Sequence, residues 1–106
     1  MDKREILVVD GDMTQAERLK QNLETEGYHA EVVYSCHEAI KCLERKWFDL
    51  IISSIILQGG MNGIQFLQEL KENEDFKKIP FVMQTRKANM KEIIESMGVT
   101  LFLAKP

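Results

Sequence analysis

The residues of this 106-residue chain whose types could do chemistry stand where short apolar runs stop. Asp10 follows Ile6 to Val9, Tyr34 closes a run from Ala30, Ser54 follows Leu50 to Ile52, Thr85 follows Phe81 to Met83, and Lys105 comes just after Leu101 to Leu103. That set offers a carboxylate, hydroxyls and an ammonium. A serine hydroxyl is not an anionic nucleophile at neutral pH, and no histidine base sits in the motif around Ser54 to activate it. Cys36, Cys42, His29 and His37 suggest a metal site by type, yet they form no CxxC or paired-histidine spacing, and the two cysteines are read as reduced thiols. Gly59 and Gly60 belong to neither G-x-G-x-x-G nor the P-loop pattern, so they do not make a nucleotide loop.

The elements that must position these groups alternate along the chain. The apolar runs are mostly continuous, as in strands buried on both faces of a parallel sheet; the run from Ala30 to Tyr34 is interrupted by Glu31 and suits an edge. Between them, Asp12 caps a helix carrying Ala16, Leu19 and Leu23 and stopped by Gly27. Ser35 to Glu38 fits a capping box for a second helix, with Ile40, Leu43 and Trp47 as its buried stripe. Asn62 opens a third helix with Ile64, Leu67 and Leu70, and Asn89 with Glu92 opens a fourth with Ile93, Ile94 and Met97, ended by Gly98. The order β-α-β-α-β-α-β-α-β predicts an α/β, doubly wound sheet of five parallel strands, a fold that places its site at the strand C-termini.

Composition sets the outer limits. At 44% hydrophobic and 29% charged the chain reads as one globular domain over residues 1–106. A net charge of −3 provides no basic footprint for gripping nucleic acid, and no run is long enough for a signal peptide or a membrane span, so a cytoplasmic location is expected.

From Ile6-Leu-Val-Val-Asp10 to Phe102-Leu-Ala-Lys-Pro106 the sequence resembles the receiver domain of two-component response regulators. The resemblance implies a flavodoxin-like receiver fold with strand order 2-1-3-4-5. It also implies an acidic pair ending the first strand, a phosphorylated aspartate ending the third, Thr or Ser ending the fourth, and Lys-Pro after the fifth. Asp10, Thr85 and Lys105 match three of these positions, and Phe102 matches the family's aromatic switch. Two positions depart, and both departures remove a carboxylate. Counting five residues on from Asp49, the acceptor position is Ser54, and the second acid of the pair is Gly11. Asp49 cannot substitute, being on the order of 16 Å from Ser54 at about 3.3 Å per residue.

In the family the phosphoryl group passes from a phosphohistidine to the aspartate with Mg²⁺ held by the acidic cluster. Magnesium wants several oxygens in octahedral array, so Asp10 with Gly11 is a poor cradle and no cofactor is expected; Asp12 is a weak second ligand, read more simply as a helix cap. Lys105 is expected to pair with Asp10, and the Thr85–Phe102 switch to rest in one state. The loop Gln58-Gly-Gly-Met-Asn-Gly63 lacks the family's proline and is one residue longer, which makes its shape the least predictable part.

The family's fifth helix has no counterpart before Pro106. Leaving on the order of 400 Å² of apolar surface bare forgoes roughly 10 kcal/mol of burial, so a continuation of the chain or a second copy is expected to cover that face. The reading is a pseudo-receiver: no enzyme, but a phosphorylation-independent signalling module acting through a protein partner or further domains, over Arg86 to Met97 and Phe102, where Lys87 and Lys91 could meet an acidic surface. The alternatives are a phosphoacceptor with rearranged Mg²⁺ ligands and a flavodoxin-like small-ligand binder.

Overall fold

The computed structural model describes residues 4–85 and 101–104, with side chains described for 4–84. The expected fourth helix, the Arg86 to Met97 surface and Lys105 lie outside the described residues, and Thr85 and Phe102 are placed by their backbone alone.

Among the described residues the elements are, in chain order, β1 (Glu5–Val9), α1 (Met13–Thr25), β2 (His29–Val33), α2 (Cys36–Arg45), β3 (Leu50–Ser54), α3 (Gly63–Glu72), β4 (Phe81–Thr85) and β5 (Leu101–Ala104). The strands form one sheet in the order β2-β1-β3-β4-β5, and every neighbouring pair is parallel. This is the doubly wound arrangement expected from the alternating runs. The continuous hydrophobicity of those runs has a direct cause, because successive side chains of a strand face opposite sides and both sides are covered. Leu7, Val9, Ile51, Phe81 and Met83 pack on one side with Phe66, Leu67 and Leu70 of α3 and Ala39, Cys42 and Leu43 of α2. Ile6, Val8, Ala30, Ile52 and Val82 face the other side with Ala16 of α1.

The caps follow the sequence closely. Asp12 accepts the Gln15 N–H at 3.1 Å to open α1, and Asn62 and Gln65 satisfy each other's backbone N–H groups in a full capping box on α3. At α2 the box is displaced: Ser35 Oγ accepts the Glu38 N–H at 3.1 Å, while the Glu38 carboxylate reaches past Ser35 to the Tyr34 N–H.

Trp47 corrects the expected stripe of α2. The helix ends at Arg45, Lys46 turns to an extended conformation, and helical spacing no longer applies two residues later. Trp47 is 59% exposed, and its indole N–H donates to Asp49 Oδ1 at 3.2 Å, while Phe48 is the fully buried aromatic. The inner face of α2 is instead completed by Cys36 and Cys42.

At the N-terminal end of the sheet, charged groups tie the elements together. The Glu5 N–H donates to Asp49 Oδ2 at 2.8 Å, the Glu5 carboxylate meets the His29 ring and Lys46 Nζ, and Lys46 also reaches Glu31 at 3.7 Å. Burial pushes the Glu5 carboxyl up, but His29 and Lys46 outweigh it, so Glu5 titrates below its ordinary 4.5. A carboxyl lowered in the folded state contributes stability above its unfolded pKa, and that contribution is lost as pH falls through the folded value.

Gly63, the first residue of α3, is pressed against the end of β3. A Cβ there would lie 2.1 Å from the Ser54 carbonyl oxygen, and its N–H donates to Ile55 O at 2.6 Å. Gly63→Ala therefore must move backbone, and we expect a loss of about 3 kcal/mol in urea unfolding. Glu5→Gln is expected to flatten the decline in stability below pH 4.5 relative to the wild type, as read by thermal melts across an acid pH series.

Candidate functional site

The C-terminal ends of β1 and β3 bring Asp10, Ser53 and Ser54 together as the buried polar residues of the described part, at 4%, 0% and 4% exposure. The sheet register sets this: Val9 pairs with Ser53, and Ser54 pairs with Gln84, one residue before Thr85. Thr85 in turn pairs with Ala104, the residue before Lys105. The strand backbones thus carry Asp10, Ser54 and Thr85 to one end of the sheet, as the sequence expected.

Asp10 is anchored at both its backbone and its side chain. Its N–H donates to Val33 O at 3.1 Å, binding the end of β1 to β2, and its Oδ1 accepts the Asp12 N–H at 3.0 Å. Asp12 turns its own carboxylate to the first turn of α1. Each acid therefore satisfies backbone N–H groups at the start of that helix, where a negative charge also complements the helix dipole.

Ser54 Oγ accepts the Ile56 N–H at 3.3 Å, and Ser53 Oγ donates to the Ser54 carbonyl at 2.9 Å. These short side chains hold the strand end through local backbone contacts. Ser53, fully buried, was not singled out from the sequence; its only signal there is a second small polar residue where an apolar run stops.

At Gly11 the missing carboxylate has been replaced by main chain. The Gly11 N–H donates to Ile56 O at 3.0 Å, and a Cβ on residue 11 would lie 2.9 Å from that oxygen and 3.1 Å from two backbone carbons of Leu57. Any side chain at this position requires the loop between β3 and α3 to move. That loop turns through two positive-φ glycines, Gly59 and Gly60, at 83° and 92°, a conformation that side chains resist. Gln58, just before them, donates through its backbone N–H to Tyr34 O at 2.8 Å and through Nε2 to Gly11 O at 3.0 Å. Ile56 is 74% exposed and Met13 is 57% exposed. Gln58 and Ile56 were not identified from the sequence, although the absent proline and the extra residue marked the loop as unusual.

The donor set does not fit magnesium, which prefers several oxygens in octahedral array. Position 11 supplies no carboxylate, position 54 supplies a neutral hydroxyl, and Asp12 serves as a cap. Among the described residues no group of three His, Cys, Asp or Glu side chains is placed to hold a metal ion. Both cysteines are buried free thiols. Burial first, and then the neighbouring Glu69 carboxylate, push the Cys36 thiol up to about 11, which keeps it protonated.

Comparison with known proteins agrees with this geometry. The family model for the response regulator receiver domain matches residues 6–106. The "Probable transcriptional regulator ycf29" of Cyanophora paradoxa is 33% identical over 103 residues, covering 95% of this chain and 49% of the relative. The phosphate regulon transcriptional regulatory protein PhoB of Escherichia coli is 30% identical over 105 residues, covering 97% of this chain and 45% of its own length. The chain thus spans about half the length of these curated relatives. Among solved structures, the signal receiver domain of a signal transduction histidine kinase from Syntrophus aciditrophicus superposes with a TM-score of 0.86 at 35% identity, covering 97% of this chain and 79% of that one. No helix among the described residues is long and apolar enough to cross a membrane. With the strand order, the buried acid at the end of β1 and a family match over nearly the whole sequence, this chain belongs to the response regulator receiver domain family.

Proposed function

We propose that residues 1–106 form one receiver domain that signals through protein contacts without aspartyl phosphorylation. The observation that carries this reading is the replacement of both carboxylates at the acceptor end: Ser54 stands at the acceptor position with its hydroxyl bonded to the Ile56 N–H, and the loop backbone closes on Gly11. An acyl phosphate needs a carboxylate, and a hydroxyl with no adjacent base does not replace it at neutral pH. Asp10 then acts as a structural acid, held by the Asp12 N–H, rather than as a metal ligand. Thr85 and Phe102 would rest in one switch state, with no phosphoryl oxygen to draw the threonine.

The partner in this reading is a protein surface, either a further domain of a longer chain or a second protein, met by the Arg86 to Met97 and Phe102 face. An acidic patch would suit Lys87 and Lys91. The relatives include transcriptional regulators twice as long as this chain, which favours an output domain among the candidate partners. No catalytic role is assigned to the chain.

Two measurements check the reading together. Incubation with Mg²⁺ and a phosphorylated sensor kinase or acetyl phosphate is expected to leave no base-labile phosphate on the protein. Addition of Mg²⁺ with beryllium fluoride is expected to leave the amide resonances of Asp10, Ser54 and Thr85 unmoved. Saturable shifts at those amides would show a working acceptor site with rearranged ligands and would overturn the proposal.

A further inference from the structure

We propose that Gln58 is a latch that holds the loop between β3 and α3 shut over the acceptor end of the sheet. The inference deepens the reading of a receiver that works without phosphorylation and rests on it for its biological purpose. The geometry of the latch stands on its own contacts.

Those contacts join three separate segments through one residue. The Gln58 N–H donates to Tyr34 O at 2.8 Å, and residues 35 and 58 form an isolated parallel bridge, so the loop adds a short strand-like step beside the end of β2. The Gln58 side chain turns the other way and donates through Nε2 to Gly11 O at 3.0 Å, fastening the same loop to the β1–α1 turn. Gly11 returns the contact by donating to Ile56 O at 3.0 Å. On the far side, Gly63 N–H to Ile55 O closes the loop against the base of α3.

Both of the Gln58 contacts depend on residue type. A proline, which the family usually has in this loop, carries no N–H and could make neither bond. The close approach at Gly11 depends in turn on a residue without a Cβ, since the gap to Ile56 O would be 2.9 Å. Gln58 and Gly11 thus act as one device, in which the space left by a lost carboxylate is taken up by a backbone that glutamine secures. The loop keeps one shape with no phosphoryl group to set it, and Ile56 is held facing outward.

Amide hydrogen exchange on the intact chain tests the latch. Gln58→Ala removes the side-chain bond alone and is expected to speed exchange of the Gly11 amide roughly fivefold, the equivalent of one ordinary hydrogen bond. Gln58→Pro removes both bonds and is expected to speed it on the order of twentyfold. An unchanged Trp47 indole resonance, at the opposite end of the sheet, shows that each variant remains folded. Exchange at Gly11 within twofold of the wild type in both folded variants would overturn the latch. Phosphate labelling of the wild type would sink the reading of the silent acceptor instead, so the two failures are told apart.

Discussion

The close approach of two backbones, Gly11 at the end of β1 and Ile56 to Leu57 after β3, is the constraint around which the functional end of this molecule is arranged. It exists because residue 11 has no side chain, and it closes the space in which a second acid would stand. Once the carbonyl of Ile56 is taken by the Gly11 N–H, the loop has to turn back sharply to start α3, and Gly59 and Gly60 supply the positive φ angles that turn requires. The tight seat of Gly63 on Ser54 completes the path. Loss of one carboxylate and remodelling of the loop are therefore linked physically.

Beneath that end lies an ordinary and well-satisfied sheet. Its central strands are buried on both faces, which removes edge liabilities except at β2 and β5. Phe66 and Phe81 meet with ring centroids 5.8 Å apart where α3 crosses the sheet, and the larger of the two hydrophobic clusters lies on that side. Among the described residues, no buried side-chain polar atom lacks a hydrogen-bond partner, which is notable given the buried acid and two buried serines. The polar groups at that end, Asp10, Ser53 and Ser54, each make hydrogen bonds to backbone at the strand ends and the start of α1.

Much of this was legible before any coordinates. Asp12, Ser35 and Asn62 were readable as caps because a cap depends on the few residues around it. The parallel sheet was readable from continuous apolar runs, since both faces of each strand must be covered. Trp47 was misread because helical spacing was extended past the point where α2 stops, and the stop is an extended Lys46 with no glycine or proline to announce it. The displaced capping box of α2 shows the same limit, since a carboxylate chooses between adjacent N–H groups according to geometry that spacing does not specify.

By itself, then, the amino-acid sequence determined the class of fold, the strand ends that gather the polar groups, and the absence of carboxylates at residues 11 and 54, since each follows from residue type and local period. Tertiary structure alone decided what became of the space those carboxylates would fill. Whether a gap stays open, takes an ion or is closed by backbone depends on contacts between segments 20 to 50 residues apart, such as Gln58 with Tyr34 and Gly11. No local pattern encodes such a contact, because its energy depends on distances that exist only after the sheet has assembled.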